Sequence, residues 1–172
     1  MRPYGGFQIG SPWICGPRPR TVPGGWPRIA PCAVATETYP KADELAGYLS
    51  NCIESLKQLA DYGGKAGVKV TLENHWGLTA NPMNIRLILD EVHHPFCEAS
   101  PDFCNWEHEY MLFNGLKALA PYSHTNVHAK YWDRWGDKND VQRSTRIMLA
   151  AGFKGGKRPL PPTKSRARAR LT

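Results

Sequence analysis

The stretch Val68-Lys-Val-Thr-Leu-Glu-Asn-His75 combines the two features that decide the fold. Its first six residues form a short run with β-branched side chains, which is typical of a strand. Three glycines lie just upstream, at positions 63, 64 and 67, and glycine commonly follows the end of a helix. The last three residues, Glu73 to His75, are polar and able to bind ligands. The stretch therefore predicts a strand that follows a helix and ends in candidate functional residues.

The residues on either side repeat this alternation of helix and strand. Residues 42–66 predict a helix, because apolar side chains recur at helical spacing at Leu45, Leu49, Cys52, Ile53, Leu56, Leu59 and Ala60. Further helices are predicted at residues 82–92, 107–120 and 140–151, and weaker strand candidates lie at 95–102 and 123–130. The first of these helices has Asn81 as a candidate N-cap and Pro82 in its first turn.

Strands that alternate with helices of ten or more residues predict βαβ units and a parallel sheet. Two architectures satisfy this pattern, an open doubly wound sheet and a closed (β/α) barrel. A nucleotide-binding loop is not indicated, because the glycine-rich segment 63–67 precedes a strand and does not follow one.

Composition divides the chain into three zones. Residues 1–40 are rich in Pro and Gly and predict an irregular segment, residues 41–153 carry the α/β pattern, and residues 154–172 predict a disordered basic tail. The formal net charge is +7, but residues 1–36 carry four basic and no acidic residues and residues 154–172 carry seven basic and no acidic residues. The patterned middle is therefore acidic.

This charge distribution and the hydropathy pattern exclude several classes of function. Nucleic-acid binding is not favoured, because it requires a basic face on the folded part. A membrane span is not expected, because no run of eighteen apolar residues occurs. The N-terminus lacks a secretory pattern and the five cysteines form no CxxC pair, so we expect a cytoplasmic protein with reduced thiols.

Three polar residues follow the three strand candidates at a regular interval. Glu73 and Asp102 are 29 residues apart, and Asp102 and His128 are 26 residues apart. One βα unit of a barrel takes roughly 25–35 residues. The three side chains are therefore expected at the carboxyl ends of adjacent parallel strands, where α/β proteins place their active sites. Together they predict a divalent metal site for Mn²⁺, Mg²⁺, Co²⁺ or Zn²⁺, and the alternative is three unrelated polar residues at loop starts.

At these positions the sequence resembles a known superfamily. The matching segments are VTLENHWG (70–77), DFCNW (102–106), GLKALAPY (115–122), VHAK (127–130) and AAGFKG (150–155). They resemble the xylose isomerase-like sugar phosphate isomerases and epimerases, (β/α)8 barrels that also include the endonuclease IV-type enzymes. The resemblance extends from about residue 43 to residue 155. It implies an α/β fold with about the C-terminal half of a TIM barrel, or four to five βα units.

The resemblance also implies a chemistry and a set of residues. It implies that Glu73, Asp102 and His128 are metal ligands, and that the reaction is proton abstraction next to a carbonyl. Glu73 is then both ligand and base, and Lys130 stabilises an enediolate oxygen or holds a phosphate. The alternative for Lys130 is a solvated charge at the end of a strand.

The same resemblance implies that His75, Asn105 and Lys130 line a pocket for a sugar or sugar phosphate. An aromatic cluster follows the third strand candidate and is typical either of a wall that stacks on sugar rings or of ordinary packing: Tyr131, Trp132 and Trp135.

Two features depart from the family pattern. Residues 8–40 resemble no family segment, and the only trace of an earlier strand is RPYGGF at 2–7. The family pattern continues after residue 155 into a strand that ends in a fourth ligand, a glutamate. This chain has prolines at 159, 161 and 162 instead, and no acidic residue after Asp140.

We therefore expect a partial barrel with weak or no activity, which needs self-association, or a partner that supplies the missing half, to cover its exposed sheet edges. Two other functions remain open from the sequence. One is a metal-dependent hydrolase of the endonuclease IV type, which requires more ligands than these, and the other is a non-catalytic barrel fragment.

Overall fold

The structure is a computed structural model, and it describes residues 28–33, 39–130 and 141–155. Its strands are β1 Arg28–Ala33, β2 Val68–Glu73 and β3 Cys97–Ala99. Its helices are α1 Leu45–Ala66, α2 Pro82–Val92, α3 Glu109–Leu119 and α4 Val141–Ala150. Short 3₁₀ turns occur at Gly77–Ala80 and Ala120–Tyr122. The four predicted helices are confirmed, and the bounds of α2 are those predicted.

The three strands are parallel and lie in the order β1-β2-β3. The register pairs Ala33 with Glu73 and Leu72 with Ala99. A single parallel bridge then joins Asp102 to His128, so the next segment of the chain continues the same order. A doubly wound sheet reverses its strand order at a switch point, whereas a barrel does not. The described order contains no switch point, as expected for part of a (β/α) barrel.

Two predicted strands are shorter in the structure. The candidate at 95–102 contributes only Cys97–Ala99, and the candidate at 123–130 contributes only the bridge at His128. The Ser100 N–H still donates to the Leu72 carbonyl, but the Asp102 N–H donates to the side chain of Asn74 and not to the backbone of β2. The local apolar pattern does not reveal this change of partner.

Strand β1 corrects the prediction that residues 1–40 are irregular. Six consecutive residues of β1 pair with β2, including Pro31 with Thr71. Proline has no N–H to donate and is depleted in strands, so the local sequence did not indicate one here. The pairing with β2, a contact between distant parts of the chain, forms the strand.

The two faces of the sheet differ in polarity. Val70, Leu72 and Ala99 belong to a buried apolar cluster with residues of all four helices. Thr71, Glu73 and Glu98 are also buried, but they occupy the alternate positions and so lie on the opposite face. The helices therefore cover the apolar face, and the polar face carries the candidate site.

Two glycines allow backbone arrangements next to β2 and β3 that other residues would not. Gly67 ends α1 with a φ of 64°, and its N–H donates to the carbonyls of Gly63 and Gly64, which turns the chain directly into β2. In α3, a Cβ on Gly115 would lie 2.2 Å from ring atoms of the fully buried Trp106. The indole thus packs against the backbone of α3 and anchors the turn that follows β3.

Within the described part of the chain, no helix is both long and apolar enough to cross a bilayer.

Candidate metal centre

The structure brings the three predicted ligands together. Glu73 is the last residue of β2, Asp102 lies three residues beyond the end of β3, and His128 pairs with Asp102 through the backbone. One ligand atom from each residue lies within 4.8 Å of the other two. Among the residues that the structure describes, no second group of three such side chains is as close. The predicted proximity of the three side chains is therefore confirmed, and their role as metal ligands stays a prediction.

Burial strengthens the interactions between the charged side chains of this group. Glu73 is 8% exposed and Asp102 is 0% exposed, so both carboxylates are largely removed from water. His128 Nδ1 lies 3.2 Å from Glu73 Oε1 and 3.6 Å from Asp102 Oδ2. Lys130 Nζ contacts Asp102 Oδ2 directly and lies 3.7 Å from Glu73 Oε1. Two carboxylates therefore face one imidazole and one ammonium group.

The pKa values follow from these contacts. Hydrogen bonds to Asp102 and then to Glu73 raise the pKa of His128 to about 9, against the opposing effect of burial. Burial raises the pKa of Asp102, but hydrogen bonds from His128, Lys130 and the Cys104 N–H outweigh it and lower that pKa to about 2. In the metal-free group, Asp102 is therefore an anion and His128 a cation at neutral pH.

The arrangement fits a divalent cation. Lys130 Nζ is a positive charge held by oxygens of both carboxylates, so it marks where a metal ion would find the same two oxygens. Two carboxylates and an imidazole suit Mn²⁺, Mg²⁺, Co²⁺ and Zn²⁺ in different degrees. Binding requires His128 to lose its proton and the Lys130 ammonium to move away from the carboxylates.

Two asparagines connect the strand ends around these ligands. Asn105 Nδ2 donates to Glu73 Oε1 at 2.9 Å. Asn74 is fully buried and hydrogen-bonds to the backbone of both Asp102 and Asn105. Asn105 was predicted as a residue of the substrate pocket, whereas Asn74 was given no role. The only local signal for Asn74 is its place beside Glu73, since its partners lie in another βα unit.

The structure describes two of the other three predicted pocket residues, His75 and Lys130. His75 is half-buried, its N–H donates to Thr79 Oγ1 at 3.1 Å, and its ring meets the edge of Trp76. Lys130 belongs to the ligand group, with its side chain 55% exposed. Trp132 lies outside the described residues, as do Tyr131 and Trp135.

Parallel strands in unreversed order, with acidic and imidazole side chains gathered at their carboxyl ends, define a segment of a (β/α) barrel at its functional face. A family model described as a xylose isomerase-like TIM barrel matches residues 27–160. Because this match covers well over half of the chain, the protein belongs to that family. The match begins at residue 27 and takes in β1, which corrects the expectation that residues 8–40 resemble no family segment.

A solved structure supports the same fold. It is a D-allulose 3-epimerase from Methylomonas sp., determined with an N-terminal His tag and additional C-terminal residues. The alignment has a TM-score of 0.51 and 16% sequence identity, and covers 68% of this chain but 42% of the epimerase chain. This protein thus spans less than half the length of that epimerase, and the likeness concerns the fold. A search of curated proteins found no match.

Proposed function

We propose that Glu73, Asp102 and His128 bind a divalent metal ion in a sugar or sugar phosphate isomerase/epimerase-type reaction. The observation that carries this proposal is the convergence of their ligand atoms within 4.8 Å at the carboxyl ends of parallel strands. Membership of the xylose isomerase-like family supports the substrate class. The candidate metals are Mn²⁺, Mg²⁺, Co²⁺ and Zn²⁺.

The proposed chemistry is proton abstraction from the carbon next to a carbonyl. The bound metal would supply polarisation of two substrate oxygens, which acidifies that carbon. Glu73 is the proposed base, because its carboxylate retains some exposure whereas Asp102 is fully buried. A pKa of about 2 also makes Asp102 a poor acceptor for the proton. The proton taken by Glu73 would return to the same or the neighbouring carbon.

Lys130 has the proposed role of stabilising negative charge on the substrate. Its ammonium group already contacts the ligand carboxylates, and its side chain is 55% exposed, so it can turn toward a molecule in the site. There it would face an enediolate oxygen or a phosphate group. His75, Asn105 and Trp132 complete the proposed substrate pocket, with Trp132 as a stacking surface for the sugar ring.

A hydrolase of the endonuclease IV type is the less favoured function. That chemistry uses several metal ions and therefore more ligands than this group provides. The proposed partner is accordingly a small sugar, with neither nucleic acid nor membrane. The described sheet has three strands in the order β1-β2-β3, and we further propose that the chain self-associates through the edges of this sheet.

Metal binding tests this function directly. Glu73→Gln removes one ligand charge with little change in shape, and Glu98→Gln is a matched control. Both glutamates are buried on the same face of the sheet, and each pairs with a lysine. Titration calorimetry with Mn²⁺, Mg²⁺, Co²⁺ and Zn²⁺ should show binding to the wild type. We expect binding to be weakened about 100-fold or more in Glu73→Gln, because a buried anionic ligand is lost.

Glu98→Gln should bind each metal as the wild type does. Equal affinity in the wild type and Glu73→Gln would refute the ligand assignment. Metal binding without turnover on ketoses, aldoses and their phosphates would favour the non-catalytic fragment over the enzyme.

A further inference from the structure

Asp102 is bridged to His128 through the backbone on one side, but it lies beyond the last backbone hydrogen bond to β2 on the other. Strand β3 ends at Ala99, and the last ladder contact with β2 is the Ser100 N–H donating to the carbonyl of Leu72 at 2.9 Å. Beyond this point the chain turns through residues 101–106. The His128 N–H donates to the Pro101 carbonyl at 2.9 Å and the Phe103 N–H donates to the His128 carbonyl at 3.0 Å, so the bridge sets the position of Asp102 relative to His128. Its position relative to Glu73 on β2 needs a different support.

Asn74 supplies a support from the neighbouring strand. Its Oδ1 accepts the Asp102 N–H at 2.7 Å, and its Nδ2 donates to the Asp102 carbonyl at 3.1 Å and to the Asn105 carbonyl at 3.2 Å. One side chain thus pairs with both backbone groups of Asp102. The contacts fix the orientation of the amide, because an N–H can only donate and a carbonyl can only accept.

Asn105 completes the connection in the opposite direction. Its backbone carbonyl is held by Asn74, and its own Nδ2 donates to Glu73 Oε1 at 2.9 Å. The residue after Glu73 therefore holds the turn that contains Asp102, and that turn in return holds the Glu73 carboxylate. The two asparagines lie in different βα units, 31 residues apart.

We infer that Asn74 and Asn105 form a reciprocal brace that sets the separation and orientation of Glu73 and Asp102. The inference rests on the proposed metal function for its purpose, but its geometry is independent of it. Two buried carboxylates of like charge repel each other, and His128 and Lys130 offset this repulsion. Neither of them ties the backbone of Asp102 to β2, which the amide of Asn74 does. Asn74 is thus a positioning residue, since it touches the backbone of one ligand and not its carboxylate.

Asn74→Ala tests the brace, and Asn84→Ala is a matched control. Asn84 Nδ2 donates to the Leu78 carbonyl at 2.9 Å, so both variants remove an amide that holds a turn after β2. Two quantities should be measured on the full chain. The first is hydrogen exchange of the Asp102 amide in chelated protein, and the second is Mn²⁺ affinity, with the visible spectrum of bound Co²⁺ as a report of ligand geometry.

In Asn74→Ala we expect the Asp102 amide to exchange at least about tenfold faster relative to the amides of β2. Mn²⁺ affinity should fall about 10–100-fold, as is usual when a group that orients a ligand is lost. The Co²⁺ spectrum should change as well. Asn84→Ala should leave the exchange rate, the Mn²⁺ affinity and the Co²⁺ spectrum at wild-type values, even where its melting temperature is lower. If Asn74→Ala fails to fold, Asn105→Ala removes the other half of the brace and should weaken Mn²⁺ binding in the same range.

The two proposals fail in different ways. Asn74→Ala with wild-type Mn²⁺ affinity and wild-type exchange at Asp102 would overturn the brace. Wild-type protein that binds no metal, while Asn74→Ala still exposes the Asp102 amide, would overturn the metal function and support the brace.

Discussion

Toward the amino end of the sheet, Glu98 in β3 meets Lys69 from β2, whereas at the carboxyl end Glu73 and Asp102 share one lysine and one histidine. Lys69 Nζ lies 3.0 Å from Glu98 Oε2 and also donates to the Pro95 carbonyl at 2.9 Å. This cation is fixed between two partners on neighbouring segments. The Lys130 ammonium, in contrast, extends from a side chain that is 55% exposed.

The difference shows why only one end suits a metal ion. At the amino end a single carboxylate is neutralised by a cation with its own backbone partner. At the carboxyl end two carboxylates are neutralised by groups that can leave, because His128 can lose a proton and Lys130 can turn into solvent. The Lys69–Glu98 pair thus stabilises the fold, whereas at the carboxyl end a metal ion can replace the cations that neutralise Glu73 and Asp102.

The largest expected effect comes from breaking the amino-end pair. Lys69→Met leaves the Glu98 carboxylate, which is 2% exposed, without a cation. Because breaking a buried pair by removing one partner is costly, the free energy of unfolding should fall by about 2–3 kcal/mol. Urea unfolding of chelated protein measures this loss. Lys69→Met/Glu98→Leu should recover most of it, and Mn²⁺ affinity should stay unchanged in both variants. A change in metal affinity would show that the two ends are not independent.

Removal of the lysine at the carboxyl end should have a different outcome. Lys130→Gln removes the ammonium that competes for the ligand oxygens, so Mn²⁺ affinity should rise about tenfold, equivalent to about 1.4 kcal/mol. Turnover should nevertheless fall if Lys130 stabilises charge on the substrate. Calorimetry at fixed pH checks the affinity, with the exposed Lys65 changed to Gln as control. Weaker binding in Lys130→Gln would mean that Lys130 supports the metal site and does not compete for it.

The comparison also shows what the sequence reveals about this fold and site. Helix α2 was predicted with its observed bounds because its start is marked locally by Asn81, whose side chain accepts the Met83 N–H. Glu73, Asp102 and His128 were predicted together because the βα repeat converts regular spacing into proximity. Both predictions rest on information carried by short segments.

The missed features depend on contacts between distant segments. Strand β1 forms by pairing with β2 although it contains Pro31. The support of Asp102 by Asn74 joins residues 28 positions apart, and an asparagine after a strand does not by itself predict such a contact. The division of buried charge between the two ends likewise depends on which lysine lies opposite which carboxylate.

A smaller effect should appear when pH is varied in the metal-free protein. The pKa of His128 is raised from 6.5 to about 9, so its stabilising charge is fully present below pH 6.5 and is lost as pH rises through 9. Chelated wild type should therefore lose about 1–2 kcal/mol of unfolding free energy across this window. His128→Gln should show a flatter profile. A wild-type profile parallel to that of His128→Gln would argue against the charged imidazole between the carboxylates.

The smallest effect is expected at His94, which lies between α2 and β3. His94 Nε2 lies 3.3 Å from Asp61 Oδ1, but the Asp61 side chain is 68% exposed. Exposed ion pairs contribute little, so Asp61→Asn should change the free energy of unfolding by less than about 0.5 kcal/mol. His94→Ala should cost more, about 1 kcal/mol, because His94 Nδ1 also accepts the Phe96 N–H at 3.0 Å.

Urea unfolding at low and high salt separates these contributions, since salt screens a surface pair and leaves a backbone hydrogen bond largely intact. An equal loss of unfolding free energy in Asp61→Asn and His94→Ala would contradict this order, because the contribution of His94 would then come from its ion pair with Asp61. The expected order instead means that the hydrogen bond from the Phe96 N–H, and not the carboxylate of Asp61, holds the ring of His94 in place.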